Sequence, residues 1–123
     1  MENKLRPKTK RTNIPLLFRV MCNKTMPGQV VKLTGSTPQL GNWNPSNGLT
    51  MFTNSTEYPV WKAATLLDTT LLYDKTTLED KYVIVDSDKP ASQTWEEISG
   101  NRMVNMETTE QELEIQDAFG VKI

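Results

Sequence analysis

Histidine is absent from this 123-residue chain, and the only cysteine is Cys22. The first absence removes Ser-His-Asp and Cys-His nucleophile activation, imidazole metal ligation and histidine pH switching within the chain. The lone cysteine excludes an internal disulfide and suits a reducing compartment. An excess of either charge is lacking too. Fourteen Lys plus Arg stand against 15 Asp plus Glu, a formal net charge of −1. Nothing in that balance attracts phosphate backbones or anionic lipid, so neither nucleic acid nor membrane is an expected partner. No run approaches the ~20 apolar residues of a membrane helix, and the opening Met1-Glu2-Asn3-Lys4-Leu5-Arg6-Pro7-Lys8 lacks the apolar core of a signal peptide. An intracellular location is the expectation. Glycine-rich phosphate loops of the G-x-G-x-x-G or G-x-x-x-x-G-K kind do not occur, so no nucleotide cofactor is expected.

What is present suffices for one small domain. Hydrophobic residues make up 37% and charged residues 24%, above the apolar-poor profile of disorder. Residues 1–14 are expected to be a flexible basic arm, since Lys4, Arg6, Lys8, Lys10 and Arg11 face one acid, Glu2, without apolar periodicity. The domain is expected over 15–119, with 120–123 as a tail or the start of a linker. Within it, short runs of β-formers alternate with turn clusters. Phe18, Val20 and Cys22 fall on one side of a period-two run, opposite Leu17, Arg19 and Met21. Pro27-Gly28 ends it, and Gln29–Thr34 alternates again before the turn-rich stretch 35–48. Further runs lie at 49–53, 60–67, 78–86, 94–97, 102–106 and 113–119. Seven or eight short strands at this spacing predict an all-β fold, an antiparallel β-sandwich. Thr108–Asp117 is the best helical candidate by composition, yet Leu113 and Ile115 stand two apart, as on a strand face.

With histidine gone, carboxylates are the remaining catalytic candidates in quantity. Adjacent Glu96 and Glu97 on a strand point to opposite faces and make no glycosidase-like pair. Asp86 and Asp88 flank Asp-Ser-Asp-Lys-Pro, which lacks the further oxygen ligands and glycine of a calcium loop. No catalytic or metal-binding residue is therefore assigned. The aromatics carry the positive signal. Trp43 sits among turn formers in Gly41-Asn42-Trp43-Asn44-Pro45, and Trp95 stands next to another turn. An indole near the surface offers a flat apolar face and one N–H donor, matching the C–H face of a glucose ring rimmed by hydroxyls. Taken alone, each tryptophan is more often a partly buried core or cap residue. Trp61, in Tyr58-Pro59-Val60-Trp61, opens an alternating strand and is expected in the core, as is Cys22.

Three ordered segments carry a family resemblance: Gly35-Ser36-Thr37-Pro38-Gln39-Leu40-Gly41-Asn42-Trp43, then Asp80-Lys81-Tyr82-Val83, then Trp95-Glu96 with Gly100-Asn101-Arg102. Together with Tyr58-Pro59-Val60-Trp61 between them, they resemble the family 20 carbohydrate-binding modules, the starch-binding domains, over about residues 15–119. The resemblance implies an immunoglobulin-like β-sandwich that binds α-1,4-glucan, as starch, glycogen or maltooligosaccharide, and catalyses nothing. Its carbohydrate site falls on Trp43, Lys81, Trp95, Glu96 and Asn101. Two indoles would stack on successive glucose rings while the lysine, carboxylate and amide meet hydroxyls. Arg102 is assigned to structure. The alternation of Lys81, Val83 and Val85 against Tyr82 and Ile84 leaves the outward face undecided.

Many secreted members have a second site with stacking tyrosines. Here the matching neighbourhoods read Lys24-Thr25-Met26-Pro27 and Phe52-Thr53-Asn54-Ser55-Thr56; Phe52 could substitute only if exposed and is expected within a strand, so one site is expected. The resemblance further implies a linked catalytic domain after the module. The competing reading is an immunoglobulin-like protein-interaction module that kept the scaffold without the sugar site.

Overall fold

The computed structural model describes residues 12–72, 74, 76–107 and 112–122. The basic residues of the expected arm, Lys4 to Arg11, lie outside them, as does most of Thr108–Glu112. Eight strands follow in order: β1 (Asn13–Met21), β2 (Gln29–Gly35), β3 (Leu49–Thr50), β4 (Val60–Asp68), β5 (Thr77–Asp86), β6 (Gln93–Trp95), β7 (Arg102–Asn105) and β8 (Leu113–Ala118). Each falls in a run with period-two or β-former character. The stretch after Thr108 is a strand where described, because Leu113 and Ile115 share one face and pack on the core.

The strands form two sheets. One has the order β4-β1-β8, and the other has β3-β2-β5-β6, with β7 also on β5. β6 pairs with residues 83–85 and β7 with residues 77–80, so both lie along the same edge of β5. One pairing departs from the antiparallel expectation, since β8 runs parallel to β1 with Phe18 opposite Ile115. Parallel neighbours need a long connection. These two have nearly the whole domain between them.

Between the sheets, alternate residues of β1 (Ile14, Leu16, Phe18, Val20) meet Val31 and Leu33 of β2 and Leu78, Tyr82 and Ile84 of β5. A side chain of this kind contributes roughly 1.5–3 kcal/mol when fully buried. Trp61 is buried as expected, and its indole N–H donates to the Cys22 carbonyl at 3.2 Å. Cys22 is buried beside it, and burial pushes its thiol up. Gly35 is required where β2 crosses β5, because a Cβ there would lie 2.3 Å from the Glu79 carbonyl oxygen.

One residue differs from the sequence reading, and the chain end makes contacts of its own. Phe52 is 69% exposed. β3 is only two residues long, and the chain beyond it touches β4 through the isolated Phe52–Lys62 bridge, so no second layer covers the ring. The segment after Phe119 is also tied down. Gly120 N–H donates to Glu96, Val121 bridges Ala118, and the Lys122 ammonium donates to the Ser99 and Asn101 carbonyls at 2.8 Å.

Candidate functional site

The outer face of the larger sheet follows from its register. On β5, Leu78, Tyr82 and Ile84 join the core, which turns Lys81, Val83 and Val85 outward. Thr34 stands opposite Lys81, and Lys32 and Trp95 both stand opposite Val83 from the two sides. Directly opposed residues share a face. Lys81 and Trp95 are therefore diagonal neighbours on the outer face, each half-buried. A lysine in such a position lays its stem along the sheet and keeps its ammonium in water.

Trp43 lies on no strand; the crossover between β2 and β3 carries it. After β2 the chain makes two short 3₁₀ turns, Pro38–Trp43 and Pro45–Asn47, before β3. Leu40 anchors this crossover in the core, and the Thr34 hydroxyl donates to the Leu40 carbonyl at 2.8 Å. That bond ties the crossover down beside Lys81, Thr34's partner across the ladder. Gly41, Asn42 and Trp43 then take φ values of 78°, 49° and 70°. Asn42 N–H closes onto the Thr37 carbonyl, and Asn44 N–H onto that of Gly41. A bulky residue with positive φ is held there only when its surroundings overdetermine it. Here the hydrogen-bonded crossover holds a half-exposed indole in place.

Glu96 is a correction. Its side chain is fully buried, and four donors converge on its carboxylate. Oε2 accepts from the Tyr82 N–H and Arg102 Nε, both at 2.9 Å. Oε1 accepts from Arg102 Nη2 at 2.8 Å and the Gly120 N–H at 2.9 Å. Nothing of that carboxylate is left for a ligand. Trp95 ends β6 on the outer face, so the next side chain turns inward by the period of two. Glu97 is exposed instead. Asn101 is half-buried, and its Nδ2 donates to Glu79 Oε1 at 3.2 Å. Glu79 lies two residues from Lys81 on the outward set of β5, which brings the Asn101 amide to the border of the face.

Behind the site lies a charged cluster that the sequence reading did not assemble. Arg102, placed in structure as expected, pairs with Glu96 and reaches Asp117 Oδ1 at 3.3 Å. Its guanidinium also stands 5.3 Å from the Tyr82 ring centroid, and the Tyr82 hydroxyl donates to Asp117 Oδ2 at 2.7 Å. Asp80 is 1% exposed, and neither carboxylate oxygen has a hydrogen-bond partner. Burial first, then the Asp117 and Glu96 carboxylates, pushes its pKa up to about 7 against the opposing pull of Arg102. One signal was available: Asp80 shares the period-two set of Leu78, Tyr82 and Ile84, a charge in an apolar series.

Asp86 Oδ1 accepts from the Asp88 N–H at 2.9 Å and the Lys89 N–H at 3.3 Å, the geometry of a turn. Among the described residues, no group of three or more Cys, Asp or Glu is arranged to hold a metal ion.

Comparison with known proteins adds an independent line. A family model described as starch binding domain matches residues 13–116. An α-amylase of Thermomonospora curvata is 49% identical over 37 residues, 30% of this chain and 6% of its own length. A glucoamylase of Neurospora crassa is 39% identical over 71 residues, 56% of this chain and 10% of its own. The chain thus matches only a small part of either relative. Among solved structures, the family 20 carbohydrate-binding module of a maltotetraose-forming amylase from Pseudomonas saccharophila aligns over its whole length and 86% of this chain, at 25% identity and a TM-score of 0.65. A γ-cyclodextrin glucanotransferase from Bacillus clarkii aligns over 87% of this chain and 15% of its own, at 29% identity and a TM-score of 0.72.

Proposed function

The chain belongs to the starch-binding domain family, and on that footing we propose that it binds α-1,4-glucan, without catalysis, at a surface site made by Trp43, Lys81 and Trp95 with Asn101 at its border. The observation that carries this reading is Trp43, a half-exposed indole held at a φ of 70° on a crossover anchored next to Lys81. The fold keeps a large apolar ring partly in water, in a backbone conformation a tryptophan does not choose by itself. Such a ring suits the C–H face of a pyranose, and Lys81 supplies donors for its hydroxyls. Glu96 serves by fixing the loop after Trp95 and has no sugar contact.

A site of two stacking rings and a few hydroxyl contacts is shallow, and dissociation constants of roughly 1 mM to 1 μM are expected. Weak binding of this kind raises the local concentration of a covalently linked enzyme on a polysaccharide without fixing it in place. The whole protein is read as such a targeted enzyme, by analogy with the amylase and glucoamylase relatives.

Titration with maltoheptaose, followed by tryptophan fluorescence, tests the site. Saturable quenching is expected, and Trp43→Ala and Trp95→Ala each weaken it about tenfold or more, or about 1.4 kcal/mol. No response of the folded wild type up to roughly 10 mM sugar, beyond the weak end of that range, overturns the reading in favour of a protein partner.

A further inference from the structure

The outer face of the larger sheet carries a groove of about 360 Å³. Its floor is Val30 and Val85, and its rim includes Ser46, Ser87, Lys32 and Asp86. The crossover that presents Trp43 borders it. Ser46 is three residues beyond Trp43 on the same crossover, with its N–H held by Asn44 Oδ1 at 3.1 Å. Lys32 lies in the lateral row that runs Thr50, Lys32, Val83, Trp95 across four strands.

We infer that this groove is a further subsite for the same glucan chain, taking the glucose residues that extend past Trp95. The inference rests on the two-tryptophan reading. The chemistry of the lining names the occupant. An apolar floor accepts a pyranose C–H face, while hydroxyls, one ammonium and one carboxylate around it meet the sugar's outward hydroxyls. The single positive and single negative side chain on the rim offset each other, which suits a neutral ligand over a phosphate-bearing one. Val85 follows Val83, the ladder partner of Trp95, by two residues on the same face of β5, so a chain that leaves Trp95 along β5 runs toward the groove.

The test compares maltotriose with maltoheptaose on the wild type and on Lys32→Ala and Ser87→Arg, two outer-face changes whose folding circular dichroism checks. In the wild type the longer sugar is expected to bind about tenfold more tightly. Both variants should keep the maltotriose affinity within about twofold and lose most of the gain for maltoheptaose, to about threefold or less. A gain that persists undiminished in the variants comes from sliding registers on the tryptophans and overturns the subsite. Equal affinity of the wild type for the two sugars also overturns it, as does loss of maltotriose binding in the folded variants. Failure of the wild type to bind either sugar is distinct, because it overturns the two-tryptophan site and the groove falls with it.

Discussion

Arg102 holds Glu96 at two points, Nε to Oε2 at 2.9 Å and Nη2 to Oε1 at 2.8 Å, with both side chains buried. The pair joins the start of β7 to the loop that follows Trp95. Its further bonds to the Ala118 and Val121 carbonyls, at 2.8 and 2.9 Å, lock the C-terminal turn to the same point.

Removing one partner leaves the other charge buried without compensation. Arg102→Met is expected to lower stability by about 3–5 kcal/mol, seen as an earlier urea midpoint with an unchanged slope. A shift under about 1 kcal/mol would mean that water reaches Glu96 once the arginine is gone.

Asp80 makes stability pH-dependent. Its carboxyl titrates near 7 in the fold, above the ordinary value of 3.8 expected for the unfolded chain. The charged groups facing it are Arg102 from β7, Glu96 after β6 and Asp117 from β8, with Tyr82 on its own strand. Between these two pKa values the folded state binds more protons than the unfolded state, so stability falls as pH rises from about 4 to about 7. Above that window the fold carries the full cost of a buried, unpartnered carboxylate. Asp80→Asn should therefore stabilise the domain by at least about 2 kcal/mol at pH 8, with the advantage shrinking towards pH 5. Thermal unfolding across that range reads the difference, and a constant offset at all pH values would refute the assignment.

Gly41 sets the crossover that carries Trp43. At its φ of 78°, a Cβ would lie 2.7 Å from the Asn47 carbonyl carbon and 2.9 Å from the Gly48 nitrogen. Backbone cannot yield as a flexible side chain can. Gly41→Ala is expected to weaken maltoheptaose binding about tenfold and to cost roughly 1–3 kcal/mol of stability, with the far-ultraviolet circular dichroism of the sandwich retained.

Lys81→Met keeps the apolar stem and removes only the ammonium. The expected loss is about 1 kcal/mol, or about fivefold in affinity for maltoheptaose. Because the sugar is neutral, wild-type affinity should change by less than about twofold between 50 mM and 500 mM salt. Calorimetric titration checks both, and a steep salt dependence would point to an anionic ligand.

The amino-acid sequence determined the strands, because turn chemistry at Pro27-Gly28 and residues 35–48 and the alternation through Phe18, Val20 and Cys22 are local properties that need no partner. It also placed Trp61 and Cys22 inside and Arg102 in structure. Which face of β5 looks outward was beyond it, since Val83 and Val85 are as apolar as Leu78 and Ile84. Packing of the second sheet alone put Lys81 and Trp95 on the open side. The burial of Glu96 and of Asp80 and the parallel entry of β8 were likewise tertiary decisions. Residues 80, 96, 102 and 117 meet only when three strands and a loop converge, and a carboxylate's partners across such distances leave no trace in spacing. Phe52 is exposed for the same reason: β-forming character says that a ring can sit in a strand, and only the position of the neighbouring sheet says whether anything covers it.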